Sequence, residues 1–227
     1  MIGGMVTWIK KMAAKLPEDW QTAIRRRMYA GQIRRERFRT TEPEYDPLAE
    51  WIREGDWVLD IGANIGHYTK RFSELAGATG RVLAFEPVGT TFHLLSANAQ
   101  HFAHPNVSLF QAAVSDHTGV QGMTIPAFGT GLKNYYEAEL TGGEGGDVSV
   151  LTLAIDRLEI PGHVALVKID AEGHERSVLA GMRGLLAKQH PVLIVETGDA
   201  EVERELAELG YGATRLEGSP NVLFRAG

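Results

Sequence analysis

The stretch Val58-Leu59-Asp60-Ile61-Gly62-Ala63-Asn64-Ile65-Gly66-His67 constrains this chain more than any other part of it. A short apolar run ends in an acid, passes through a glycine-bearing turn and enters a helix-like pattern. This is how a buried parallel strand hands a nucleotide-like ligand to a helix N-terminus. Gly62 and Gly66 allow the backbone to turn tightly and to approach a ligand.

From Asp56 onward the same alternation repeats. Apolar runs at 57–61, 81–85, 107–110, 163–169 and 192–196 read as strands. Helical patterns follow at 66–76, 90–102, 173–186 and 200–210. Near-continuous apolar strands separated by amphipathic helices predict an α/β fold, a Rossmann-like doubly wound parallel sheet covered on both faces. Right-handed crossovers then collect the strand C-termini on one rim, where such sheets bind ligands. Residues 211–216 and 221–225, joined through Gly218-Ser219-Pro220, read as a closing antiparallel hairpin. Runs at 120–125 and 148–153 read as strands flanking a glycine-rich insert, about 126–147, whose Tyr135-Tyr136 pair reads either as a substrate contact or as part of a mobile hairpin tip.

Residues 1–39 look helical, with Ile9, Met12, Ala13 and Leu16 on one face and a break at Pro17. Residues 40–47, with two prolines among acids, form a connector, and Leu48–Arg53 reads as a short helix. The expected division is a helical extension over 1–47 and one catalytic domain over 48–227. Residues 1–39 hold ten Lys/Arg against three Asp/Glu, a net of +7. That leaves −13 on the other residues of a chain whose net is −6. A basic arm on an acidic body suits an anionic partner or a second subunit, and a homo-oligomer through these helices is the expectation. The arginine clusters lack interleaved aromatics, so no nucleic-acid partner is expected.

There are no cysteines, so disulfides, thiolate metal sites and cysteine nucleophiles are excluded. No apolar run approaches the ~20 residues that a membrane span needs. Residues 1–8 have no basic residue before them and no cleavage-type site after them, so no signal peptide is expected and the placement is cytoplasmic.

Four groups of polar residues fall at strand ends: Asp60 to Gly66, Phe85-Glu86-Pro87, Ala112 to Asp116, and Lys168-Ile169-Asp170-Ala171-Glu172-Gly173-His174-Glu175. An acid closing the second strand is the group that would accept hydrogen bonds from ribose hydroxyls. The turn lacks both the G-x-G-x-x-G spacing and any Lys or Arg over 60–67, which speaks against a dinucleotide.

Together, Asp-Ile-Gly-Ala-Asn-Ile-Gly, Phe-Glu-Pro and Lys-Ile-Asp-Ala-Glu-Gly-His-Glu resemble the motifs of the FkbM-type methyltransferases, a family of class I S-adenosylmethionine-dependent enzymes, over roughly residues 50–200. The resemblance implies a seven-stranded, mostly parallel sheet with an antiparallel last strand. It also implies O-methylation, with S-adenosylhomocysteine as product, but it does not name the acceptor; a small-molecule or sugar hydroxyl is the expectation. Asp60, Gly62, Ala63, Asn64 and Gly66 would hold the methionine part of the cofactor, Glu86 the ribose, and Ala113, Val114, Ser115 and Asp116 the adenine. Asp170 and Glu172 would lie between cofactor and acceptor.

A hydroxyl acceptor must lose a proton, and a positioned base contributes roughly 10²–10⁴-fold. His174 is the first candidate because imidazole titrates near neutrality. Asp170, Glu172 and His67 are alternatives, and Glu196 is a candidate for shaping the acceptor pocket. Convergence of Asp170, Glu172 and Glu196 would suit a divalent metal such as Mg²⁺, but no tight metal-ligand spacing exists, so no metal residues are assigned. Two other readings are a nicotinamide-dependent oxidoreductase and a cofactor-binding scaffold with a basic interaction arm.

Overall fold

The computed structural model describes residues 18–126, 134–135, 138–143 and 145–227. The Ile9/Met12/Leu16 face, Gly129, Gly131 and Tyr136 lie outside the described residues. In chain order the elements are α1 (Glu18–Arg34), β1 (Trp57–Ile61), α2 (His67–Ala76), β2 (Arg81–Phe85), α3 (Gly89–Ala99), β3 (Val107–Phe110), β4 (Ala113–Val114), β5 (Gly119–Thr124), β6 (Glu139–Leu140), β7 (Val148–Leu153), β8 (Val164–Ile169), α4 (Glu175–Ala180), α5 (Arg183–Gln189), β9 (Val192–Glu196), α6 (Ala200–Glu208), β10 (Tyr211–Arg215) and β11 (Asn221–Ala226).

Seven strands form the main sheet in the order β10-β11-β9-β8-β1-β2-β3. All neighbours from β9 to β3 pair in parallel, and β11 runs antiparallel between β9 and β10. The doubly wound sheet and its antiparallel last strand are as the sequence implied. Side chains alternate between two cores. Leu59, Ile61, Leu83, Phe85, Val167 and Ile169 enter one, with Val178, Leu186 and Leu206 from the helices. Val58, Val82, Leu166 and Ile194 enter the other, with Leu48, Tyr68 and Phe72. Strands covered on both faces explain their near-continuous apolar sequences.

Strand order reverses at β1 and β8, which pair with Asp60 opposite Lys168 and Ile61 opposite Ile169. Their C-terminal ends therefore flank the rim crevice.

Two local readings, at 173–186 and 40–53, differ from the structure, whereas the 120–125 and 148–153 runs are strands as read. They pair antiparallel in a second sheet ordered β4-β7-β5-β6, whose inner face packs Met123 and Val150 on Val88 and Ala113. The 173–186 helix is two helices. A Cβ on Gly181 would stand 2.0 Å from the Ser115 carbonyl oxygen, so the backbones meet there and the helix breaks. The Asp156 carboxylate then accepts from the Gly184 and Leu185 amides at 2.7 and 2.9 Å, capping α5. The 40–53 region holds two 3₁₀ turns, Pro43–Tyr45 and Pro47–Glu50, in place of a helix. Each begins on a proline, whose missing N–H is harmless at that position.

The connector is fastened by buried polar contacts. Glu44, fully buried, accepts from Tyr68 Oη at 3.0 Å, from Ser219 Oγ at 3.1 Å and from Asn221 Nδ2. These contacts tie residues 42–46 to both α2 and the closing hairpin. α1 packs through Tyr29 and Ile33 against Leu94 and Ile65.

Candidate active site

One cavity of about 340 Å³ opens on the rim, and the turn after β1 forms its floor. Gly62 (φ +77°), Asn64 (φ +50°) and Gly66 (φ +97°) all take left-handed backbone there. The Gly62 and Ala63 amides donate to the Phe85 carbonyl at 3.0 and 2.9 Å, and the Asp170 amide donates to Ile61 at 3.0 Å. Three strand ends are thereby stitched into one surface. Asn98 Nδ2 supports the turn from beneath by donating to Ile65 at 2.9 Å.

Asp60 is buried, with Oδ2 accepting from Thr69 Oγ1 at 2.5 Å. Burial pushes its carboxyl up to about 6, against the opposing pull of Lys168. Asp60 Oδ1 and Asn64 Oδ1 are buried with no hydrogen-bond partner among the described residues, and both residues line the cavity. Both atoms are closed to solvent, so they lie beneath the cavity surface and not on it.

Glu86 is also buried. Its Oε2 accepts from the Asn64 amide at 2.9 Å and its Oε1 from the Val88 amide at 2.9 Å. The acid therefore does more than the sequence suggested, because it also locks the β1 and β2 loops together. The Thr91 hydroxyl is a third donor to it, and the remaining lone-pair capacity is available to a ligand hydroxyl. Burial pushes this carboxyl up to about 7, despite the two amides.

At one end of the cavity stand Thr40, Glu42, Tyr68, Lys168, Asp170 and Glu196. Lys168 is buried and donates to Asp170 Oδ2 at 2.9 Å, with its ammonium 4.9 Å from the Tyr68 ring centroid. Burial alone would lower its pKa, but Asp170 and Asp60 together hold it above the ordinary value. Glu42 accepts from Tyr68 Oη at 2.6 Å. Burial, and then Asp170, raise the Glu196 pKa.

His174 lines the cavity with its Nε2 2.9 Å from Ser115 Oγ, and burial lowers its pKa. Ala113 and Val114 line the wall beside it, whereas Ser115 is buried behind them and Asp116 is exposed. The Asp116 carboxylate accepts from Ser115 Oγ at 3.2 Å and meets His117 Nδ1 at 2.6 Å. His67 lines the cavity with its ring 4.3 Å from that of Phe38, and burial lowers its pKa. Glu172 lines the wall with left-handed backbone, and Tyr135 of the insert lines it too. Gly66 is not among the lining residues but caps α2. Among the described residues, no group of three or more His, Asp or Glu side chains stands close enough to hold a metal ion.

Sequence reasoning gave no role to Thr40, Glu42, Tyr68 or Lys168. Only Lys168 carried a signal. A lysine in an otherwise apolar strand buried on both faces requires a charge partner.

A family profile described as the methyltransferase FkbM domain matches residues 60–212. The chain belongs to the FkbM methyltransferase domain family.

Two curated relatives share this region. The chain is 36% identical over 162 residues to 31-O-demethyl-FK506 methyltransferase FkbM of Streptomyces tacrolimicus, covering 58% of this chain and 61% of that protein. It is 27% identical over 150 residues to hexuronic acid methyltransferase AglP of Haloferax volcanii, covering 65% of this chain and 58% of that protein. The chain thus matches about three fifths of each relative's length. Among solved structures, the methyltransferase FkbM from Methylobacillus flagellatus KT superposes with a TM-score of 0.54 at 16% identity, over 75% of this chain and 43% of that one. A protein of the NADB-Rossmann superfamily from Streptococcus agalactiae superposes with a TM-score of 0.50 at 10% identity, over 82% of this chain and 67% of that one. At these identities the two structures speak for the fold alone.

Proposed function

We propose that this FkbM-family protein is an S-adenosylmethionine-dependent O-methyltransferase acting on a hydroxyl of a small molecule or sugar. The observation that carries the reading is the acidic, cation-free floor of the cavity. Asp60 and Glu86 line it, and no Lys or Arg lies within residues 60–67. Such a floor suits an ammonium group and repels a phosphate. Glu86, one strand away, supplies the acceptor for a ribose diol. S-adenosylmethionine, when bound here, supplies an electrophilic methyl carbon on a sulfonium. The names of the two curated relatives agree with methyl transfer to a small molecule or a sugar acid.

The chain's own residues then have to position an acceptor and take its proton. Lys168 fixes Asp170 through Oδ2, and the Asp170 side chain remains 29% exposed. Asp170 is favoured as the base over His174, whose Nε2 is engaged by Ser115. The acceptor end sets Glu42, Asp170 and Glu196 against one ammonium already paired with Asp170. That balance favours an uncharged hydroxyl over a carboxylate acceptor.

Calorimetric titration with S-adenosylmethionine and S-adenosylhomocysteine tests the cofactor, with NAD(H) and NADP(H) as controls. Binding of the first pair alone is expected, and binding of the nicotinamides alone overturns the reading. Asp170→Asn is expected to lower turnover about a hundredfold and also to lower the melting temperature, because the buried Lys168 ammonium then faces a neutral amide. A large loss of stability with turnover preserved would make Asp170 a structural acid.

Cofactor affinity should also depend on pH. Asp60 and Glu86 both bind protons more tightly in the folded protein than in the unfolded chain, with values of about 6 and about 7. Their contribution to stability is therefore full below the ordinary carboxylate range and falls as pH rises to about 7. Ligand donors need the ionised forms, so affinity should rise through this same window, with protons released on binding. Titrations in buffers of different ionisation enthalpy measure that release. A pH-independent affinity with no proton release would contradict the assignment.

A further inference from the structure

We infer that the outward face of α1 is a docking surface for an anionic lipid bilayer. Trp20, Ile24 and Met28 are 65%, 51% and 47% exposed, large apolar side chains left in solvent. They recur every fourth residue, a shift of about 40° per step, so they make one continuous stripe along the helix. Ile33, nine residues and about 180° from Ile24, is buried against α3 with Tyr29 beside it. The stripe thus points directly away from the body. Exposed arginines border it, Arg27 and Arg34 on one side and Arg25 on the other.

Charge decides the occupant. Between Trp20 and Arg39 the sequence carries seven arginines and one acid, Glu36, whose carboxylate meets Lys70 at 3.0 Å. Two copies joined stripe to stripe would bring together helices that each carry four arginines against two acids, Glu18 and Asp19, and so repel each other. A nucleic acid would satisfy the arginines and leave Ile24 and Met28 in water. An anionic bilayer satisfies both, because apolar side chains enter the headgroup boundary while flanking arginines reach the phosphates. The net charge of −13 outside residues 1–39 repels the rest of the molecule from such a surface and so orients the docked protein.

The test is co-sedimentation of the full chain with vesicles of phosphatidylcholine, with and without about one third phosphatidylglycerol. Binding to the anionic vesicles is expected at least about tenfold tighter than to the neutral ones, and weaker in high salt. The double variant W20D/M28D alters only exposed side chains, so it should keep the wild-type circular dichroism and melting temperature while losing about tenfold in binding. No preference for anionic vesicles, or unchanged binding by the variant, overturns the inference. Sedimentation equilibrium and titration with a labelled oligonucleotide cover the other occupants. A dimer abolished by W20D/M28D would assign the stripe to a second copy, and tight oligonucleotide binding without vesicle binding would assign the arginines to nucleic acid. Either result overturns the lipid assignment, and none of these measurements depends on the methyltransferase reading.

Discussion

Glu86→Ala is expected to weaken S-adenosylmethionine binding by about 2–4 kcal/mol, or roughly thirty- to a thousandfold. The variant removes the carboxylate at the end of β2, and with it the acceptor proposed for the ribose hydroxyls. It also strands the Asn64 and Val88 amides, which donate to Glu86 at 2.9 Å each. Stability should respond less than binding, because two effects oppose each other. Stranded amides cost on the order of 1–3 kcal/mol each if they stay dry. Against this, the fold no longer buries a carboxyl whose pKa burial has pushed up to about 7, and water enters the space the side chain leaves. Calorimetric affinity and thermal melting on the same sample check both halves. A folded variant that binds the cofactor at wild-type strength would sink the ribose assignment.

Gly62→Ala is expected to destabilise the fold by about 3–5 kcal/mol and to lower the melting temperature by about 10 °C or more. Two costs add at this position. Left-handed backbone at φ +77° is unfavourable for alanine by about 1–2 kcal/mol. In addition, the new Cβ would stand 1.8 Å from the Asp170 carbonyl oxygen, so the ends of β1 and β8 would have to separate. Gly142→Ala isolates the first cost, since its φ is +73° but nothing lies within 4 Å of the position an alanine Cβ would take. That control should lose only about 1–2 kcal/mol. Because β1 and β8 carry Asp60 and Asp170, the Gly62 variant should also lose cofactor binding. Equal melting temperatures for the two variants would show that the close approach at Gly62 contributes nothing.

The candidate residues that the structure gathers at the cavity share one property, which is that their signals are local. Asp60, Glu86 and Asp170 each follow an apolar run that can only be a buried strand, and a parallel sheet delivers such residues to one rim whatever the details of packing. The closing hairpin was equally legible, because Gly218-Ser219-Pro220 separates the 211–216 run from the apolar 221–225 run. His174 illustrates the limit. Its place at the start of α4 followed from the pattern, but its bond to Ser115, 59 residues away in sequence, did not. The break at Gly181 was hidden for a similar reason. It depends on how closely the Ser115 backbone passes, and a single glycine in a helical pattern does not report that.

The sequence by itself determined the doubly wound sheet, the rim that carries the cavity and the three strand-end acids. Periodicity, glycine turns and the chemistry of strand ends are properties of neighbouring residues. The tertiary structure alone decided who surrounds those acids. It brought Glu42 and Thr40 from the connector to the cavity wall beside Lys168 and Glu196, and it folded 120–125 and 148–153 into a separate sheet that lays Met123 on Val88. It also joined Glu44 to Asn221, 177 residues apart. Such contacts are selected by the fit of whole surfaces and by the requirement that buried charges find partners. No window of the sequence contains both sides of that requirement.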